Sequence, residues 1–284
     1  MYNKAYGIIE TLAPLHVGAS AGEETGNLNL IFRDQFTQTG IIPGSSIRGR
    51  FRADMREIAG SDDVDYWYGK EAKTRDEAGS NSEPVTSEGI VKFEYASLLW
   101  LPVFCPNQPV VRVSCPALLN RYRKIRNWPS YKFKPYSYWG KLSNIKFLFF
   151  NLGFVKLGEP DKALENYLPV QGDENEQHPL LVVKDTEIGM IHDMALYRQS
   201  RVSLDPEQKI AKGKAFFNVE ALPEGSILSF PIALRKTFQS KSVNPEQFLQ
   251  TADLTTEKEM YFGGLESVGF GRTNVSLNLI AEQE

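Results

Sequence analysis

Residues 41–52 read IIPGSSIRGRFR, and the change from strand to helix within this stretch sets the fold. Two isoleucines run into a Pro-Gly turn, after which apolar residues recur at helical spacing. These residues are Ile47, Phe51, Met55 and Ile58. We therefore predict a helix ending near Gly60, with that stripe buried and with Ser45 or Ser46 as its N-cap.

The segments around this helix read mainly as strands. Apolar, turn-bounded runs predict strands near residues 6–17, 29–34, 89–104, 109–114, 227–235 and 273–280. Helical patterns occur at 115–125 and within 245–260, and residues 179–222 read as two strands separated by an irregular excursion. Because this order lacks a regular βαβ alternation, we predict an α+β fold with antiparallel hairpins.

Composition limits the possible functions. The formal net charge is −3 and the pI about 5.8, so contacts with nucleic-acid phosphates require local basic patches. Cys105 and Cys115 have no zinc-site spacing, and a reduced, cytoplasmic setting is the simplest interpretation. The sequence has neither a signal-peptide apolar region nor a run of about 18 apolar residues, so we expect no membrane contact.

The start of the predicted helix is a candidate phosphate site. Free amide groups at a helix N-terminus favour anions, and hydroxyls and guanidiniums add donors beside it. The residues concerned are Ser45, Ser46, Arg48, Arg50 and Arg52. The alternative is an ordinary capped helix with solvated arginines.

A second candidate is the glycine-rich sequence GGLESVGFGR at 263–272. Glycines allow the close approach of another backbone, here that of a sugar-phosphate chain. The candidate residues are Gly263, Gly264, Gly269, Gly271 and Arg272. A plain glycine-rich turn is the alternative.

Residues 120–146 are basic and aromatic, with eight cations, seven aromatic side chains and no acidic residue. Cations and rings suit RNA phosphates and stacked bases, but the same residue types favour a protein interface, and both alternatives stay open. His16 and His192 are each candidate bases, or packed histidines. Met190 and Met194 beside His192 suggest an apolar wedge at the tip of the excursion, or core packing.

Several motifs resemble, in their joint order, the RAMP superfamily, whose members include the RNA-binding backbone proteins of type III CRISPR effectors. The middle segments are similar to the backbone subunit of the Cmr (type III-B) module in particular. The motifs are LHVG (15–18), IPGSSIRGRFR (42–52), SLLWLPVF (97–104), VSCPALLNRYRK (113–124), KAFFNVEALPEGSILSFPIAL (214–234) and GGLESVGFGR (263–272).

The resemblance implies one elaborated domain over residues 1–284, built on a ferredoxin-like, RRM-derived palm. The palm would comprise about 1–60, 89–126 and 214–284, with large insertions at about 61–88 and 127–213. A β-hairpin thumb would lie near 186–203, with Met190, His192 and Met194 as its wedge. The expected partners are a CRISPR guide RNA, a complementary target RNA, further copies of the chain and other type III effector subunits.

The resemblance also implies site residues. His16, the helix-start residues and the glycine-rich loop would contact guide RNA. Active relatives carry an aspartate five residues before an arginine that resembles Arg33, and here that position falls on Leu28, or on Asn27 when counted from His16. An amide is a weaker ligand than a carboxylate for Mg²⁺ or another divalent ion, so we predict weak or absent target cleavage.

Two alternatives to such a scaffold stay open. One is an active metal-dependent endoribonuclease using a relocated carboxylate from Glu23, Glu24 or Asp34. The other is a metal-independent guide-processing nuclease with His16 or His192 as general base.

Overall fold

The computed structural model describes residues 2–18, 28–70, 87–106, 108–142, 145–151, 153–169, 178–204 and 211–281. Its helices are α1 Gly44–Ala59, α2 Ser61–Tyr68, α3 Pro116–Ile125, α4 Ile188–Ala195 and α5 Pro245–Thr251. The first strands are β1 Tyr2–Thr11, β2 Leu28–Asn29, β3 Ile41–Ile42, β4 Val91–Phe93, β5 Ala96–Cys105, β6 Gln108–Ser114, β7 Tyr138–Trp139, β8 Phe147–Phe150 and β9 Gly153–Lys156. The remaining strands are β10 Leu180–Val182, β11 Tyr197–Leu204, β12 Ala211–Ala221, β13 Ile227–Arg235, β14 Thr237–Phe238, β15 Lys241–Ser242, β16 Lys258–Tyr261 and β17 Arg272–Leu279.

A large mixed sheet organises the described part of the chain and confirms the predicted α+β class. Its strand order is β16-β17-β1-β13-β5-β6-β10-β7, with β3 paired to β5 and β4 to β13. The central strands β17, β1, β13 and β5 are mutually antiparallel neighbours. Along the chain, helix α1 lies between β1 and β5, and helix α5 lies between β13 and β17. In the sheet, β13 separates β1 from β5, and β1 separates β13 from β17, so each helix joins strands that are not neighbours.

The two faces of the sheet carry separate apolar clusters, because successive strand residues point to opposite sides. On one face Phe51 of α1 packs against Phe93 and Phe230, with ring centroids 5.3 and 6.2 Å apart. On the other face Tyr6 of β1 meets Tyr122 of α3 at 6.2 Å. Helix α1 is thereby fixed against the sheet, which positions its N-terminus.

The β-hairpin predicted near 186–203 is wrong in its position. Residues Ile188–Ala195 form helix α4, and the hairpin consists of β11 and β12, which pair from Tyr197↔Ala221 onward. The apolar run IGMIHDMA suits a short helix that buries one side, and it does so here. None of the described helices is long and apolar enough to cross a membrane.

Candidate nucleic-acid interface

The first turn of α1 begins at Gly44, with Pro43 as N-cap and no side-chain cap. The prediction that Ser45 or Ser46 caps the helix is therefore wrong, because both lie inside the first turn. Only glycine fits at position 44, since a Cβ there would lie 2.8 Å from the carbonyl oxygen of Phe93. The strand end thus holds the helix start in place.

A cavity of about 430 Å³ lies between α1 and the glycine-rich loop. It brings together two regions that the sequence places more than two hundred residues apart. Its lining includes Gly18, Ser46, Gly49, Arg50, Gly263 and Gly264. We call it the α1 cavity. A Cβ added at Gly49 or Gly264 would meet nothing within 4 Å, so both positions leave open space beside the backbone.

The glycines of the loop have different roles. Gly263 has φ +80°, and a Cβ there would lie 2.1 Å from the His16 carbonyl oxygen, while Gly264 N–H donates to that oxygen at 3.0 Å. Gly271, at φ +85°, approaches the Phe262 carbonyl oxygen in the same way. Gly269 has φ +94° and is exposed. Two of the four therefore permit close packing within the protein itself.

The candidate arginines differ in whether they face the α1 cavity. Arg50 lines the α1 cavity, with its Nε 2.9 Å from Asp54 Oδ1 and its Nη1 4.0 Å from Glu266 Oε1. Arg48 donates to the Tyr68 carbonyl oxygen at 2.7 Å and is half-buried.

Arg52 is only 7% exposed, because α2 packs along α1 and brings the Gly69 carbonyl oxygen 3.5 Å from its Nη2. Its assignment as a phosphate contact is therefore wrong. Arg272 is exposed and ion-paired with Glu259 at 3.4 Å, and it does not line the α1 cavity.

His16 lies next to the α1 cavity. Its side chain is 8% exposed, and its Nδ1–H donates to the Glu220 carbonyl oxygen at 2.6 Å. A carbonyl oxygen can only accept, so this bond places a proton on Nδ1. A Cβ on Gly18, which lines the cavity, would lie 3.1 Å from Nε2.

The structure contradicts the predicted wedge of Met190, His192 and Met194 at His192. His192 is fully buried on α4, where its Nε2 accepts the Gly40 N–H at 2.9 Å. Burial, and next the charge of Arg33, lower its pKa to about 4, so the ring is neutral near pH 7. Met190 is exposed and Met194 half-buried, and both line a separate cavity of about 720 Å³ beside the β8–β9 hairpin.

An ionic cluster that no sequence motif predicted lies at the base of the β11–β12 hairpin. Glu220 is 3% exposed and accepts from Arg33 Nη2 at 3.0 Å and Arg198 Nη2 at 3.1 Å. Arg33 also pairs with Asp193 of α4. A charged residue within the apolar strand run NVEAL was the available signal, because a buried carboxylate needs partners.

Among the residues that the structure describes, the candidate catalytic carboxylates do not form an acidic cluster that could hold a metal ion. Glu23, Glu24 and Asn27 lie outside the described residues, and Leu28 and Asn29 form β2, paired with β12. Asp34 Oδ1 accepts from the Phe36 and Thr37 amides at 3.0 and 2.8 Å. Burial alone would raise the pKa of Asp34, but hydrogen bonds from Thr37 and Phe36 outweigh it and lower that pKa.

A divalent ion does not fit the described carboxylates of this region. Asp34 is held in its turn by the hydrogen bonds to Phe36 and Thr37. Glu220 and Asp193 are each paired with Arg33, whose charge repels a cation.

The aromatic side chains of 120–146 largely serve packing. Tyr122 and Phe133 are buried, and Trp128 meets Tyr167 at 5.2 Å between ring centroids. Arg126 lies over the Trp128 ring at 4.2 Å. Tyr122 and Phe133 therefore belong to the core on the α3 face and cannot stack on bases, whereas the other five rings are half-buried.

Comparisons with known proteins identify the family and the fold. The family model of the RAMP superfamily matches residues 8–274. Oligomeric Cmr4 from Pyrococcus furiosus is 15% identical, with coverage of 99% of this chain and 100% of that chain and a TM-score of 0.69. Type III-B Cmr-beta bound to cognate target RNA gives 20% identity, coverage of 98% and 97%, and a TM-score of 0.71. No curated protein sequence matches the chain.

At these identities the solved structures establish a shared fold over nearly the whole length. The family model covers most of the sequence, including both sides of the α1 cavity. The chain therefore belongs to the RAMP superfamily.

Proposed function

We propose that this protein is an RNA-binding backbone subunit of a type III CRISPR effector, and that the α1 cavity seats the guide-RNA backbone. One observation carries the proposal: α1 and the glycine-rich loop, both candidate phosphate contacts, line a single cavity. Two proteins of similar fold support it, one solved as an oligomer and one in a complex bound to cognate target RNA. The expected partners are guide RNA, target RNA, further copies of the chain and other effector subunits.

The chemistry of the cavity suits a ribose-phosphate strand. Ser46, in the first turn of α1, lines the cavity, and the positive end of the helix dipole lies at this end of the helix. Arg50 adds a guanidinium that can contact phosphate oxygens in place of the distant Glu266 carboxylate. Gly49 and Gly264 leave room for a second backbone to approach.

Within this proposal the chain is one elaborated domain with a palm and a thumb. The palm is formed by β17, β1, β13 and β5 with α1 and α5, which have the antiparallel order of a ferredoxin-like unit. The thumb is the β11–β12 hairpin rather than the segment around Met190. Glu220, paired with Arg33 and Arg198, ties the base of this hairpin to the palm.

The subunit holds target RNA but cleaves it weakly or not at all, because the family's aspartate position carries Asn27 or Leu28. Asp34 does not replace it, since its carboxylate is engaged in its own turn. A guide-processing role for His192 has no support either, because its ring is buried and its Nε2 bonds to Gly40.

The test is an assembled effector given Mg²⁺ and complementary RNA, with products resolved by length. We expect the RNA to stay intact, and fragments at regular spacing would overturn the assignment of a poorly cleaving subunit. Asn27→Asp and Leu28→Asp should each create or raise cleavage if the position alone limits it. Asn29→Asp is the matched control for Leu28→Asp, because the next residue of β2 points to the opposite face.

A further inference from the structure

Three phenylalanines form an exposed apolar surface on the β8–β9 hairpin, whose two strands pair only with each other among the described strands. Phe149 and Phe154 are 58% and 63% exposed, and Phe147 lies beside Phe154 with ring centroids 5.5 Å apart. Met190 of α4 is also exposed and lines the same cavity as Phe154. Several large apolar side chains exposed together mark an interaction surface on a soluble protein.

Lysines surround these rings. Residues 141–158 contain three lysines and no acidic residue. Lys146 and Lys156, next to the phenylalanines in the two strands, are exposed and have no ion-pair partner among the described residues. Of the carboxylates that line the neighbouring cavity, Glu187 is paired with a lysine at 3.6 Å, which leaves Glu159. We call the three phenylalanines and these two lysines the hairpin surface.

A surface of opposite charge lies where α1 meets α2. Ile58, in the last turn of α1, and Tyr66 of α2 are 49% and 36% exposed. Residues 56–66 carry four carboxylates against a single arginine. The carboxylates are Glu57, Asp62, Asp63 and Asp65, and none has an ion-pair partner in the described part of the chain. Asp62 and Asp65 share one side of α2 with Tyr66, because helix residues three and four apart are neighbours. We call this acidic rim with its two apolar residues the α2 surface.

Strand β5 separates the two surfaces. Tyr68 of α2 stacks on Phe93 of β4, with ring centroids 6.1 Å apart, three residues before β5 begins at Ala96. At the other end of β5, strand β8 packs against it and the backbone of Phe149 lies beside the Cys105 thiol. A ten-residue strand is about 30 Å long, so one copy cannot bring its own two surfaces together. Two copies can.

Phenylalanines among lysines also suit RNA, whose bases stack on aromatic rings. The ring planes of Phe147 and Phe154 meet at 82°, and those of Phe149 and Phe154 at 52°. Rings tilted in this way do not offer parallel faces to successive bases. The chain itself carries the counterpart of the hairpin surface, with an apolar centre and the opposite charge, and this complementarity favours a second copy over RNA.

We propose that the hairpin surface of one copy of this chain docks on the α2 surface of the next copy. In this contact the phenylalanines cover Ile58 and Tyr66, while Lys146 and Lys156 face the carboxylates around them. The contact is heterologous and leaves one surface free at each end, so it builds an open row of copies rather than a closed dimer. The proposal rests on the proposed function in one respect, because it names the surfaces through which the further copies expected there meet.

The test reverses the charge of either surface and follows the 284-residue chain by sedimentation velocity at low salt. Lys146→Glu/Lys156→Glu makes the hairpin surface acidic, and Glu57→Lys/Asp65→Lys makes the α2 surface basic. Glu57 and Asp65 each lie in the last turn of a helix, where the dipole favours a cation, so we expect the second variant to fold. Each variant alone should associate at least about 10-fold more weakly than the wild type, because like charges then face each other.

An equimolar mixture of the two variants should regain association. The acidic hairpin surface of one variant then meets the basic α2 surface of the other, and the remaining surfaces keep their natural charges. Lys132→Glu/Lys134→Glu, at exposed positions outside both surfaces, is the matched control and should associate like the wild type. A mixture that stays dissociated overturns the proposal, as does wild-type association of either variant alone.

RNA binding is measured separately, by anisotropy of a labelled oligouridylate of about 32 nucleotides, which has room for two copies. A wild type that stays monomeric with and without this RNA overturns the proposal. Loss of RNA binding by Lys146→Glu/Lys156→Glu with self-association intact also overturns it and assigns the hairpin to RNA. If the mixture regains association while the wild type binds no RNA, the contact between copies stands and the proposed RNA-binding function fails.

Discussion

Replacing Arg50 by alanine tests whether the α1 cavity holds phosphate. Arg50 is about one-third exposed and lines the cavity, so we expect it to make one phosphate contact. For single strands each contact contributes about 0.7 to the salt slope, so Arg50→Ala should weaken binding about 5-fold at 0.1 M salt relative to 1 M. The variant should still fold, because the lost pair with Asp54 joins neighbouring turns of one helix, and such i,i+4 pairs contribute about 0.3–0.5 kcal/mol.

The assay is anisotropy of labelled oligouridylate over a salt series, with urea unfolding to check stability. Arg56→Ala is the matched control, because Arg56 is exposed in the last turn of the same helix, away from the cavity. Arg48→Ala should differ from both. It should lower stability by about 1 kcal/mol, since the Tyr68 carbonyl oxygen loses its donor, and should leave the slope unchanged. If Arg50→Ala and Arg56→Ala give the same slope as the wild type, the α1 cavity does not hold phosphate.

Two further predictions concern stability. Gly263→Ala should lower the free energy of unfolding by about 1–3 kcal/mol, because it combines φ +80° with a clash against the His16 carbonyl oxygen. Gly264→Ala, with no atom near its Cβ, is the control, and equal urea midpoints would contradict the packing role. The buried His192 has its pKa lowered to about 4, so the unfolded state binds more protons below the ordinary pKa of about 6.5. The contribution of His192 to the free energy of unfolding should be complete above pH 6.5 and should fall by up to about 3 kcal/mol as the pH drops to about 4. A His192→Gln variant should lack this fall when urea unfolding is measured across the same pH range.

Local sequence patterns predicted α1 well and its surroundings less well. Ile47, Phe51 and Met55 are buried as the helical period requires, whereas Ile58 in the last turn is 49% exposed. Arg52 shows the reverse error, since it is buried although it was predicted to contact phosphate. The period gives the angular position of a side chain, but not how far the sheet extends beneath the helix or that α2 folds back onto it.

Tertiary packing, and not local pattern, also decided the position of α4 and of the hairpin that follows it. The run IGMIHDMA could form a wedge or pack into the core, and the sequence left both open. Packing against the turn that contains Gly40 buried His192 and gave its ring a hydrogen-bond partner. The projecting hairpin is instead made by β11 and β12.

The sequence by itself determined the α+β class, the start of α1 near residue 44 and the glycine-rich loop, because these depend on short-range periodicity and on turn residues. The order of its motifs along the chain indicated the family. Only the tertiary structure decided that Arg50 faces the loop while Arg52 is covered, and that Glu220 joins Arg33 across 187 residues. Strand pairing between distant segments brings such groups together, and no local pattern of residues records which strands will be neighbours.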